Sequence, residues 1–230
     1  MPLQHKYSES GQGLVEVALI IVLVSVVSIL GLSATGTSLQ DVYCDVVSGF
    51  GESGSGACSG ALFSEDFLTL DKWHTAWGKW SIQDGKLLGQ NYSAIFAKDF
   101  SGEDYMINID SANLSAGNGY GVWFRSQNFA NPEGYIFQYD PGYDGGSFLF
   151  RKWVDGHELS PFARVKVPGY DWTGEDHQVQ IKVVGDTFTA YVDGAAVLSA
   201  SDSTFTEGTI GLRTWDSTQV TFDDISITNP

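Results

Sequence analysis

The sequence predicts an α+β chain: a long amino-terminal helix able to cross a membrane, followed by an all-β sandwich. Three observations carry this. Leu14 to Leu32 reads LVEVALIIVLVSVVSILGL, an apolar run broken by one carboxylate, Glu16. Residues 48–60, SGFGESGSGACSG, are small and polar, a spacer composition with little helical preference. Beyond Phe63 the apolar residues recur every second position between Gly, Asp and Asn turn signals, the pattern of short antiparallel strands.

The first element follows from length. At about 1.5 Å per helical residue the apolar run extends about 28 Å, one hydrocarbon core. His5 and Lys6 precede it and favour retention of that side in the cytoplasm. Apolar residues continue at helical spacing through Leu39 and Val42 to a stop at Gly49, giving a helix over 12–48, with Gly31 and Gly36 as points of close packing or local unwinding. Two plainer readings stay open: a signal peptide cut near Ser33-Ala34-Thr35, and a signal anchor that is never processed. Cys44 and Cys58 are the only two cysteines and flank the small polar stretch; in an exported chain they read as one disulfide, in the cytosol as free thiols.

The second element, 61–230, places strands at Ser93 to Phe96, Tyr105 to Ile109, Gly121 to Ser126, Tyr135 to Tyr139, Ser147 to Trp153, Gln178 to Val183, Thr187 to Val192, Thr209 to Trp215 and Val220 to Ile227, with turns at Asp84-Gly85 and Asp193-Gly194. No helix is predicted here. The whole chain carries 12 Lys and Arg against 28 Asp and Glu, a formal charge of −16 that repels nucleic-acid phosphates and disfavours DNA or RNA as a partner.

Alternation sorts the strand residues by face. It sets Trp123, Arg125, Gln138, Arg151, Trp153, Arg213 and Trp215 on one sheet surface, opposite the Leu and Phe face. Such a set suits sugars, with indole rings stacking on a pyranose and guanidinium groups donating to hydroxyls. The alternative is that the Trp rings complete the core and the Arg groups answer acidic neighbours. Trp73, Trp77 and Trp80 read as core or edge packing. Glu65-Asp66 in the first strand and Asp223-Asp224 in the last meet if those strands pair, and would form part of a Ca²⁺ site. His5, His74, His157 and His177 show neither metal-ligand nor triad spacing, and no nucleophile elbow or phosphate-cradling loop occurs, so no catalytic residues are assigned and the chain reads as a non-enzyme.

Two resemblances add to this. GQGLVEVALIIVLVSVV, Gly11 to Val27, resembles the processing motif of Flp/Tad-type class IVb pilins, with Val17 where the family commonly has Tyr. It implies a leader over 1–11, cleavage by a prepilin peptidase between Gly11 and Gln12, and Glu16 as the fifth mature residue, pairing with the new amine of a neighbouring subunit inside the filament. FSEDF, WSIQDGKLLG, GVWFRS, GYIFQYD, YVDGAAV, GTIGLRT and VTFDDISI resemble the concanavalin A-like jelly-roll domains of the LamG-like and 3-keto-disaccharide hydrolase type, whose architecture hosts lectins, enzymes and spacers alike. The Glu-x-Asp-x-x-Glu arrangement of laminarinase-like relatives is absent. Together these imply a membrane-inserted subunit that assembles with identical copies into an extracellular pilus and displays a sandwich able to bind surface glycans. The rival expectation is a membrane-anchored extracellular lectin or glycan-active enzyme that does not polymerise.

Overall fold

The computed structural model describes residues 61–230. The leader, the helix with Glu16, the spacer over 49–60 and the Cys44–Cys58 pair lie outside these residues. Among the described residues there is no helix, so none long and apolar enough to cross a membrane. Gly60–Pro230 forms a compact unit with its own core, which is what independent folding requires.

The strands are β1 (Phe63–Glu65), β2 (Trp73–Gln83), β3 (Lys86–Ala97), β4 (Tyr105–Ala116), β5 (Tyr120–Gln127), β6 (Glu133–Asp140), β7 (Ser147–Val154), β8 (His157–Glu158), β9 (Ala163–Lys166), β10 (Asp176–Val184), β11 (Thr187–Val192), β12 (Ala195–Ser201), β13 (Thr209–Thr214) and β14 (Gln219–Thr228). They pair in the order β12-β11-β10-β4-β14-β3-β13-β5-β6-β7-β8, with β1 on β14, β2 on β3 and β9 on β7. The result is an antiparallel jelly-roll sandwich. β3 is the strand both layers share: Leu87 to Gln90 pair with β14, whereas Ser93 to Phe96 pair with β13.

Period-two alternation explains the core. In β4, β10 and β14 alternate residues such as Ile107, Ile109, Ile181, Val183, Phe222 and Ile227 are buried, while β5, β6 and β7 turn Val122, Phe124, Tyr135, Phe137 and Phe150 against them. Phe188 of β11 joins the layers, with ring centroids 4.9 Å from Phe124 and 4.6 Å from Tyr135. Burying an aromatic ring of this size contributes on the order of 2 to 3 kcal/mol before entropy is set against it.

Unlike a sheet with one wet face, β5, β6 and β13 are buried on both sides. Their outer face carries a second cluster of Ala94, Phe96, Trp123, Ile136 and Trp153. Two glycines make room for it. A Cβ on Gly121 would meet Ile136 at 2.4 Å, and one on Gly211 would meet Phe96 at 2.5 Å.

Candidate functional site

The outer face is a grid of registered residues. Trp77, Ala94, Arg213, Gly121 and Gln138 lie across β2, β3, β13, β5 and β6 in one row. His74, Phe96, Gly211, Trp123, Ile136 and Arg151 form the next. Ala94 and Gly121 flank Arg213 with almost no side chain, so its guanidinium lies down on the sheet. It sits over the ring of Trp153 at 4.7 Å, Trp215 at 5.2 Å and Tyr92 at 5.9 Å. Cation–π contacts of this kind contribute roughly 0.5 to 2 kcal/mol each as water is excluded.

One carboxylate organises the polar groups. Glu158, from the two-residue strand β8, accepts at Oε1 from Arg213 Nη1 at 3.0 Å and from Gln138 Nε2 at 2.5 Å. Arg151 donates through Nε to Gln138 Oε1 at 2.8 Å, lies 3.7 Å from Glu158, and packs over Tyr143 at 5.0 Å. Among the described residues the contacts of Gln138, Arg151 and Arg213 with Glu158 all fall on Oε1 and leave Oε2 free, and Nε of the buried Arg213 is likewise unpaired. Tyr92, 56% exposed, stacks on Trp77 at 5.9 Å and forms the rim with the half-buried Trp215. The site therefore presents an acceptor beside donors, edged by rings, which is the arrangement that a pair of neighbouring hydroxyls requires.

Two residues beyond Gln138, Asp140 ends β6 and opens the turn to β7. Burial pushes its carboxyl up to about 6, and Glu158 adds to the rise; the Tyr143 and Gly142 amides and the Arg151 charge pull the other way.

Five of the seven face residues predicted from alternation thus meet: Gln138, Arg151, Trp153, Arg213 and Trp215. Trp123 lies on that face but beneath it, wholly buried, 5.1 Å from Trp153 and 5.5 Å from Phe96. Arg125 is not on that face. It adopts a left-handed φ of 48° where the β5–β6 register shifts, and this bulge turns its side chain to the opposite side. There its guanidinium donates to the carbonyls of Glu103, Phe205 and Gly185, at 2.7 to 3.1 Å, and lies over Phe188. Glu158, Tyr92, Trp77 and Tyr143 were not anticipated. Three of them stand at strand ends, turns or bulges, where alternation carries no information.

The acidic pairs separate in a similar way. β1 does pair with β14, but Glu65 turns inward, accepting from Phe67 N at 2.9 Å and from Trp73 Nε1 at 3.0 Å. Asp66, Asp223 and Asp224 stay outside, where Asp223 approaches Lys86 at 3.8 Å. Burial, then the carboxylates of Asp223, Asp110 and Asp66, push the Asp224 carboxyl up. Among the described residues no three His, Cys, Asp or Glu side chains are arranged to hold a metal ion.

The family description of the 3-keto-alpha-glucoside-1,2-lyase-like domain matches residues 60–228. The chain belongs to that family. Within wider comparisons, residues of this chain are 32% identical over 152 positions to the levanase of Bacillus subtilis (strain 168), covering 64% of this chain and 21% of the enzyme. They are 29% identical over 172 positions to the extracellular exo-alpha-L-arabinofuranosidase of Streptomyces chartreusis, covering 71% of this chain and 19% of that protein. The chain thus spans about a fifth of the length of these curated relatives. The solved carbohydrate-binding module CBM66 from Bacillus subtilis superposes with a TM-score of 0.60 at 28% identity, covering 69% of this chain and 96% of the module. The family's sandwich is therefore present here as a carbohydrate-binding-like domain.

Proposed function

We propose that this domain binds neutral sugar residues of extracellular glycans at the Arg213–Glu158 site, as a lectin-like module. The observation that carries the reading is the pairing of unspent hydrogen-bonding capacity, at Glu158 Oε2 and on the Arg213 and Arg151 guanidinium groups, with the rings of Trp215 and Tyr92. A hydroxyl donates to the first and accepts from the second while the ring's apolar face stacks. An acidic sugar would face Glu158, and a nucleic acid the chain's −16 charge. The similarity to CBM66 and to segments of a levanase and an arabinofuranosidase supports a glycan as the class of ligand.

Binding without cleavage is the preferred form of this reading. Two carboxylates lie on the face, but Glu158 is held by Arg213 and Gln138, and Asp140 is buried in its turn. Calorimetric titration of residues 61–230 with levan oligosaccharides and α-L-arabinofuranosides, with product analysis of the same samples, tests both points. Saturable heat with unchanged sugar is expected; cleaved product would make the domain an enzyme.

A second reading concerns where the domain is displayed. The Gly11–Glu16 motif and the apolar run behind it favour a pilin segment that is cut by a prepilin peptidase and assembles with identical subunits, exporting the sandwich from the membrane to the cell surface. Mature protein is then expected to begin at Gln12. A start at Met1 or after Ala34 would overturn the pilin segment, the first leaving an anchored lectin and the second a lectin freed of the apolar run.

A further inference from the structure

The outer face does not end at Arg213. Four residues back along β13, at Thr209, lies a cleft of about 350 Å³ between the 98–101 loop, the end of β5 and the 207–209 segment. It is about 13 Å from Arg213 at strand rise, a distance that several linked sugar residues span and a monosaccharide does not.

The local sequence builds the cleft. Gly208 and Gly102 exchange both backbone hydrogen bonds at 3.1 Å, joining two loops into a floor. A Cβ on Gly208 would meet the Arg125 carbonyl carbon at 2.5 Å, so only glycine allows this approach. Asn128, at a left-handed φ of 53°, turns the chain after β5 and sets Phe129 against the face. The Phe129 ring is pinned by Phe96, 5.0 Å away and 8° from parallel, and by His74 at 5.3 Å.

The polar lining is mixed, and its two charged side chains are unspent. Lys98 and Glu207 are exposed and enter no ion pair among the described residues, so the cleft carries one charge of each sign. Ser101 adds a hydroxyl and Gln127 an amide whose Nε2 holds the Glu207 carbonyl at 2.8 Å. Donors and acceptors without net charge match a polyhydroxylated neutral ligand and would repel a phosphate at Glu207. Between this cleft and Arg213 the surface is aromatic: Trp77 stands in the Arg213 row, and His74 with Phe129 in the next. Two bulges in β2 around Trp77 aim that ring onto the face, and Gly78 at φ 75° permits them.

We infer that the cleft at Lys98, Gln127 and Glu207 is a second sugar subsite, joined to Arg213 across Trp77 and Phe129, so that the domain reads an oligosaccharide chain rather than one residue. This rests on the glycan reading of the Arg213 site.

The test is calorimetry of residues 61–230 with sized levan-derived and arabinan-derived oligosaccharides, from the disaccharide to the longest soluble chain. In the wild type the longest chain of the series that binds should bind about tenfold more tightly than its disaccharide. In the Lys98→Ala/Glu207→Ala double variant, which removes two exposed unpaired groups, that gain should vanish while disaccharide affinity stays unchanged. An affinity independent of chain length, or a double variant that keeps the gain, overturns the subsite and leaves the Arg213 reading intact. Wild-type protein that binds neither series at any length overturns both.

Discussion

Two Trp–Arg pairs with the same spacing meet opposite fates in this sandwich. In β13, Arg213 stays on the outer face with Trp215 beyond it, over Trp153 and within reach of Glu158. In β5, Trp123 is driven under that face and Arg125 swings through it to tie three backbone carbonyls together. The difference lies in the backbone. β13 keeps its register with β3 from Gly211 to Thr214, whereas β5 slips against β6 after Phe124. One pair is thus a structural rivet and the other stays on the outer face, where the proposed sugar site lies, and a single bulge decides which.

The comparison breaks most visibly at Trp123. Trp123→Ala empties the centre of the second cluster and is expected to lower stability by about 3 to 5 kcal/mol; urea denaturation of residues 61–230 measures it, and a loss under 1 kcal/mol would mean the ring is not packed. Arg125→Ala strands the carbonyls of Glu103, Phe205 and Gly185. About 2 to 4 kcal/mol is expected, with sugar affinity little changed.

Asp140 sharpens the contrast through pH. Its folded carboxyl is raised to about 6 from an ordinary 3.8, so the folded state holds the proton more tightly than the unfolded one. That stabilisation is complete below pH 4 and is lost as pH rises through 6. Wild-type stability should therefore fall between pH 4 and pH 6, by about 2 kcal/mol at most, and level off above. Asp140→Asn should flatten this part of the profile in denaturation series across the same range; an unchanged slope would locate its cause elsewhere.

The smallest expected effect is at the rim. Trp215→Ala should weaken sugar binding by about 1 to 2 kcal/mol and shift the melting temperature little, because its ring is only partly buried and joins neither hydrophobic cluster. A large melting shift would place Trp215 with Trp123 as a packing residue.

Most strands of the sandwich could be read from alternation, since a two-residue period with Gly and Asp turns has few other solutions. The pairing of β1 with β14 entered only as the condition of a Ca²⁺ site, and it is present. The face assignment held wherever the ladder was regular, at Gln138, Arg151, Trp153 and Arg213. It failed at Arg125, because a left-handed residue in mid-strand leaves no mark in a hydrophobic pattern. Glu158 was hidden for a different reason: a two-residue strand has no period, and only tertiary pairing with Trp153 brings it over Gln138. Glu65 shows the same limit, since a carboxylate beside Asp66 gives no sign that it will be turned inward to cap Phe67 and Trp73.

The most direct test of the account is Arg213→Ala in residues 61–230, titrated with levan oligosaccharides and α-L-arabinofuranosides beside the wild type. If the Arg213–Glu158 pair is the glycan site, binding should fall at least tenfold, while Arg125→Met, at the matching position in β5, binds like the wild type if it remains folded. Equal binding by the Arg213 variant and the wild type, or no binding of these sugars by the wild type, would contradict it.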